Sequence, residues 1–361
     1  MSGGDRSADA EGVPGEGRQP EAKPGGGGSR LRGLLWLPVP FLLAWALRGV
    51  PLREAGRILG GLNPGRLAVL GAVNLAFTAV LTLRWVSILR GLGERTPLRN
   101  LPGLAAARLA GFAVSYLTPG PQFGGEPAQL ALARSWTGLT YARGAASLVI
   151  EKSMDLAGNL AFIGLGMLAL RALPSDAAAP GRGWTFLSFL GILLGILPLV
   201  YLGSVFAGLR PLSALAARAI RLPRPAPRLS RLAGFLRDAE AEAGAYGRNP
   251  VRAAAQLVLP FFAIQGFGIL ELWLTMSFLG APLDFGGTVL LLAGGKLALY
   301  APVPGGLGAL EAAQRALVTL LGYGPETALA LSAWVRIRDL LFALAGLAAA
   351  ARAGRPPRER R

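Results

Sequence analysis

Glu126 and Glu311 each stand seven residues beyond a proline–glycine break, Pro119-Gly120 and Pro304-Gly305, inside an otherwise apolar stretch. Each would open a half-helix. A carboxylate in the first turn satisfies free backbone N–H groups and the positive end of the helix dipole. Facing a wet cavity, the same group can meet a polar headgroup or carry a proton. The two glutamates belong to a larger set. The apolar segments hold the acids Glu126, Glu151, Asp155, Glu271, Glu311 and Asp339 and the bases Arg84, Lys152, Lys296, Arg315, Arg336 and Arg338. A charge at the centre of a lone membrane helix costs about 2.5–3.5 kcal/mol, so twelve would total on the order of 35 kcal/mol as an upper bound. Such groups must pair, face water, or both. Their spacing favours pairing on shared faces. Glu151 and Asp155 are four apart, as are Glu311 and Arg315, and Arg336 and Asp339 are three apart. Lys152 and Lys296 are two of only three lysines among 37 basic residues. A lysine is a compact charge suited to a phosphate.

Other chemistries are excluded by composition. The chain has no His and no Cys, which removes thiol nucleophiles, disulfides, Cys/His zinc sites and imidazole acid–base catalysis. No nucleotide-binding loop or metal signature occurs, so no cofactor is implied. The formal net charge is +17, a balance that suits nucleic acid or an anionic membrane face. With 52% apolar and only 16% charged residues among 361, the membrane is the better reading and no nucleic-acid partner is expected.

The elements that must position these groups are helices. Residues 1–30, rich in Gly, Pro, Glu and Arg, read as a disordered tail, with no signal peptide. Apolar runs at 31–50, 67–89, 141–173, 184–209, 251–279 and 327–351 are each long enough to span a bilayer. The segments 98–135 and 285–321 are broken midway by Pro and Gly, which stop a helix and let the backbone reverse. Each reads as a hairpin entering and leaving on one side. Non-helical backbone at that depth must be buried in protein or line a cavity. The expected fold is therefore an all-α polytopic membrane protein with six transmembrane helices and two re-entrant helical hairpins.

A constant offset of 185 carries Pro119 onto Pro304, Glu126 onto Glu311 and the span starting near Arg66 onto that starting near Val251. This predicts an internal repeat, 66–173 and 251–351. Three spans separate the two starts, an odd number, so the repeat is inverted, as in transporters with a midplane site between discontinuous helices. The same register sets Glu151 opposite Arg336, and contacts between halves are expected from Glu151 to Arg336 or Asp155 to Arg338. The arginine-rich loop 210–250 and the basic tail 352–361 are expected on the cytoplasmic side, and with six spans the N-terminus joins them. Gly191 and Gly195, four apart, suit close helix packing.

The motif Thr118-Pro119-x-x-x-Gly124-Gly125-Glu126-Pro127, the helix bearing Glu151 and Asp155, the motif Pro302-x-Pro304-Gly305-Gly306-x-Gly308-x-x-Glu311, and Arg336 resemble the transmembrane, flippase-like domain of the lysylphosphatidylglycerol synthetase family over roughly 31–351. The resemblance implies a domain of the bacterial or archaeal plasma membrane that flips aminoacylated phospholipids or handles lipid-linked sugars. It implies that Thr118, Pro119, Gly124, Gly125 and Glu126 form one signature and Pro304, Gly305, Gly306, Gly308 and Glu311 the other. The family's synthetases carry a soluble aminoacyl-transferase domain; none is expected here, and lysyl transfer is not implied. The leading expectation is a lipid translocase acting on an anionic phospholipid or a polyprenyl-linked headgroup. Its substrate-binding residues would be the two signatures with Glu151, Lys152, Asp155, Lys296, Arg315, Arg336, Arg338 and Asp339. The alternatives are an intramembrane lipid-modifying enzyme with Glu126 or Glu311 as base, and a non-catalytic membrane partner of a separate soluble transferase docked on the basic loop.

Overall fold

An Asn–Pro pair starts two long helices in the same way. Helix α1 (Pro64–Gly91) begins where the Asn63 side chain accepts a hydrogen bond from the Gly65 N–H at 2.8 Å. Helix α8 (Pro250–Phe278) begins where Asn249 accepts one from the Arg252 N–H at 3.0 Å. Each pair supplies a side-chain acceptor for orphan donors and then a proline where no donor is needed. The computed structural model describes residues 63–118, 124–170, 182–220, 227–301 and 303–353. The chain divides into two compact units, Met1–Leu42 and Leu43–Arg361, and every described residue belongs to the second. The predicted tail 1–30, the span 31–50, Pro119 and most of the basic tail 352–361 lie outside the described residues.

Between and after the two long helices run α2 (Leu101–Leu117), α3 (Glu126–Thr137), α4 (Tyr141–Ala169), α5 (Arg182–Phe206), α6 (Pro211–Ile220), α7 (Pro227–Gly247), α9 (Phe285–Ala298), α10 (Ala309–Leu320) and α11 (Pro325–Ala353). Among the described residues the protein is all helix, with no strand. The series α1–α4 recurs as α8–α11 in order and nearly in length: 28 and 29 residues, 17 and 14, 12 and 12, 29 and 29. Packing follows the same exchange. Helix α1 lies on α8, α2 lies on α11, and α4 lies on α9. Small residues permit the close approaches. A Cβ on Gly346 of α11 would stand 2.1 Å from the Leu109 carbonyl oxygen of α2, and one on Gly166 of α4 would stand 2.1 Å from the Ala293 Cβ of α9.

Helices α1 and α8 are long and apolar enough to cross a membrane, and the bent pair Ile192–Phe206 with Pro211–Ala219, which turns through 93°, would be a third if taken as one span. Helices α4 and α11 match them in length but carry Glu151, Lys152 and Asp155, and Arg336, Arg338 and Asp339, near their middles. Beside an apolar core, some charged groups are buried while large apolar side chains are exposed. Arg84, Glu151 and Arg336 are each 1% exposed, whereas Leu75, Leu259 and Phe262 are 69%, 75% and 67% exposed. Charge inside and hydrocarbon outside is the arrangement expected when lipid is the surrounding solvent.

Candidate functional site

Both glutamates lie in the first turn of a helix that follows a break. Glu126 opens α3; its Oε2 accepts from the Gly124 N–H at 2.7 Å and its Oε1 meets Lys152 Nζ of α4 at 2.9 Å. Glu311 is the third residue of α10; its Oε2 accepts from the Gly308 N–H at 2.8 Å and its Oε1 accepts from Arg336 Nε of α11 at 2.7 Å. In each case one oxygen caps the half-helix and the other binds a base on the next long helix. The glycines make the tips possible. A Cβ on Gly125 would fall 1.8 Å from the Gly111 carbonyl oxygen of α2, so only glycine lets the two arms of the first hairpin meet there. In the second break, the single 3-10 turn Pro304–Gly306 holds Gly305 at φ 58° and Gly306 at φ 65°, the left-handed region that other side chains avoid. Thr118 ends α2 and donates to the Val114 carbonyl oxygen at 2.9 Å, bonding its own helix.

Behind the tips lie two ion networks, one in each half. Arg84 of α1 donates to Glu151 at 3.0 Å and to Asp155 at 2.7 Å, and Arg108 of α2 also donates to Glu151. Arg338 of α11 donates to Glu271 of α8 at 2.6 Å and to Asp339 at 2.8 Å. The signs are exchanged between the halves: the first long helix brings the base in one and the acid in the other. The halves touch through neutral groups. Asn74 of α1 donates to Glu271 at 3.2 Å, and Arg336 donates to the Tyr116 hydroxyl of α2 at 3.2 Å as well as to the Gly305 carbonyl.

This corrects the expected contacts between halves. Glu151 does not meet Arg336, nor Asp155 Arg338; each carboxylate is held by a base of its own half. The expected pairing of Arg315 with Glu311 is not formed either. Arg315 is exposed on α10 and makes no ion pair among the described residues, because the Glu311 carboxylate turns to α11 instead. Arg108 takes its place, so the interior still balances six acids with six bases. It was missed although it is the one charge between Leu101 and Leu117, a signal as strong as that of Arg84.

A cavity of about 300 Å³ opens where the halves meet. Its polar wall includes Asn74, Thr78, Arg108, Ser115, Tyr116, Gly125, Glu126, Gln129, Lys152 and Asp155 from the first half and Gly305, Gly306, Arg338 and Asp339 from the second. Phe77, Leu81, Phe112, Leu299 and Phe342 complete it with hydrocarbon. A second cavity of about 220 Å³ shares Phe77, Leu81, Lys152, Asp155 and Leu299 with it and adds Lys296. Glu311, Arg315 and Arg336 line a separate recess with Pro325 and Glu326, so the second glutamate does not share the first one's cavity. Thr118, Gly124 and Pro304 shape the breaks without lining the two cavities. Among the described residues no cluster of acidic side chains is arranged to hold a metal.

A family model described as the lysylphosphatidylglycerol synthase TM region matches residues 34–346. The chain belongs to that family. No curated protein and no solved structure matches it. Membership in the lysylphosphatidylglycerol synthase TM region makes this a helical membrane protein tied to lipid metabolism, and accounts for the apolar exterior around a charged interior.

Proposed function

We propose that the protein is a lipid translocase that moves a lipid with a charged headgroup between leaflets through the cavity between its halves. The observation that carries this reading is the wall itself: three bases and three acids, Arg108, Lys152 and Arg338 with Glu126, Asp155 and Asp339, around a space bounded by both halves of a lipid-facing helical body. A headgroup entering there can exchange its own phosphate or ammonium for an internal ion-pair partner, so the charged group is never left unpaired in a low dielectric. Both oxygens of Glu126 and of Glu311 are already engaged, which suits an exchangeable charge better than a general base.

The architecture that fits this reading has six spans and two re-entrant hairpins in an inverted repeat, 66–173 and 251–351, both termini in the cytoplasm and the chain in a plasma membrane. The recurring helix order, the matching Asn–Pro starts and the exchanged packing of α2 with α11 and α4 with α9 support the repeat. The odd number of crossings between the halves supports its inversion, and the arginines of 210–250 support the orientation. The test is reconstitution of the purified chain in liposomes with a panel of headgroup-labelled lipids. Lipids with a charged headgroup should exchange between leaflets at least about tenfold faster than in protein-free vesicles, a barrier change of about 1.4 kcal/mol. Exchange at the protein-free rate for every lipid would remove the reading.

A further inference from the structure

Two of the chain's three lysines line one cavity. Lys152 of α4 and Lys296 of α9 both border the space of about 220 Å³, with Asp155, Asn159, Gln265 and Tyr300. Their pairing differs. Among the bases of the apolar helices, Arg84, Arg108, Lys152, Arg336 and Arg338 each reach a carboxylate. Lys296 does not. Its ammonium donates to the neutral Asn159 amide oxygen at 2.7 Å and stands 5.5 Å from the centre of the Phe162 ring, with no carboxylate at ion-pair distance among the described residues. The acid on this wall, Asp155, is held by Arg84 at 2.7 Å. The second cavity therefore carries an excess of positive charge, unlike the first, whose acids and bases balance. A half-buried cation with no carboxylate at ion-pair distance is costly, and a mobile anion is one way to neutralise it.

We propose that this second cavity is a phosphate-binding site in which Lys296, with Lys152 across the space, receives the phosphodiester of a lipid headgroup. Lysine supplies three donors on a compact charge, and Asn159 and Gln265 provide amide groups on the same wall. The site deepens the translocase reading and rests on it only for the movement of lipid after binding. The phosphate lies against the α4–α9 contact, so the headgroup is seated between the halves, with Leu81, Phe77 and Leu299 linking the site to the larger cavity.

The experiment measures binding to the full chain in detergent, using dihexanoyl phosphatidylglycerol, dihexanoylglycerol and inorganic phosphate as probes, for wild type, Lys296→Gln and Lys296→Arg. The phosphodiester is expected to bind wild type and dihexanoylglycerol to bind at least about tenfold more weakly, with Lys296→Gln losing at least about tenfold in Kd and Lys296→Arg retaining most of the affinity. Without ligand, Lys296→Gln should melt at or above the wild-type temperature, because it removes an uncompensated cation. Inorganic phosphate that binds with the same dependence on Lys296 supports the phosphate chemistry and, where the lipid does not bind, assigns the site to the free ion. Wild-type affinity of Lys296→Gln for the phosphodiester, equal binding of dihexanoylglycerol, or a Lys296→Gln protein that melts well below wild type would each overturn the site. Lys296-dependent binding in a protein that moves no lipid keeps the site and removes the translocase reading; wild-type binding by Lys296→Gln removes the site and leaves that reading standing.

Discussion

Glu151→Gln is expected to be the most destabilising isosteric change in the protein. The carboxylate is 1% exposed and is the meeting point of two guanidiniums, Arg84 from α1 and Arg108 from α2. A glutamine keeps the shape and one acceptor but no charge, leaving two buried cations with Asp155 alone. Breaking a buried pair from one side costs about 3–5 kcal/mol, which corresponds to a melting temperature lower by on the order of 10 °C. Thermal unfolding of the purified variant in detergent measures it. Adding Arg108→Gln in the same chain should recover part of the loss, because the second cation no longer lacks a partner, and a double-mutant cycle isolates that coupling. A Glu151→Gln protein that melts like wild type yet moves no lipid would contradict this and move Glu151 from scaffold to substrate contact.

Glu126→Gln should do the reverse: it should keep the fold and stop the lipid. The carboxylate lies on the wall of the larger cavity, 21% exposed, and its partner Lys152 is 34% exposed, so their pair is partly wet. Such a pair contributes about 0–1 kcal/mol. The amide retains an acceptor for the Gly124 N–H, and even complete loss of that cap would cost about 0.5–2 kcal/mol. If the carboxylate's charge meets the headgroup, its removal forfeits about 1.5–3 kcal/mol, or roughly 10- to 150-fold in rate. Glu311→Gln is not equivalent, although the repeat register makes the two residues partners. It leaves Arg336, 1% exposed, with neutral acceptors alone, the new amide, the Tyr116 hydroxyl and the Gly305 carbonyl, so lower stability should accompany any lost activity. Melting and lipid exchange measured on the same preparations separate the two glutamates. Equal behaviour of both variants, or wild-type exchange by stable Glu126→Gln, would contradict the assignment.

Much of this arrangement is legible in the residues alone. Proline and glycine dictate where a helix must break, so the tips around Thr118–Glu126 and Pro304–Glu311 could be placed, and with them the two first-turn carboxylates. Charge within an apolar run marks the interior of a membrane protein, and eleven of the twelve charged groups gathered around the tips and cavities are legible in this way. What could not be read was which group binds which. Helical spacing fixes neighbours along one helix; it says nothing of the helix packed across from it. Glu311 was therefore matched to Arg315, one turn on, when its carboxylate turns to Arg336 of α11. The repeat register suggested Glu151 against Arg336 for a similar reason, since it relates positions without determining whether equivalent side chains meet or diverge. The paired Asn63-Pro64 and Asn249-Pro250 starts are a local signal in the sequence, but they stand 186 residues apart, one off the 185 register that aligns the two breaks.

Lipid passage through the cavity between the halves is the step on which the translocase reading stands, and the absence of native cysteine allows a reversible test of it. Thr78 lines that cavity from α1, and Leu75, three residues earlier, is 69% exposed on the outside of the same helix. Single Thr78→Cys and Leu75→Cys proteins in liposomes should both exchange headgroup-labelled lipid. Attaching a bulky thiol reagent through a disulfide should slow exchange at least about tenfold for Thr78→Cys, a barrier of about 1.4 kcal/mol or more, and reduction of the disulfide should restore it. The same treatment of Leu75→Cys should change nothing. Undiminished exchange by fully labelled Thr78→Cys protein would show that lipid does not take this path.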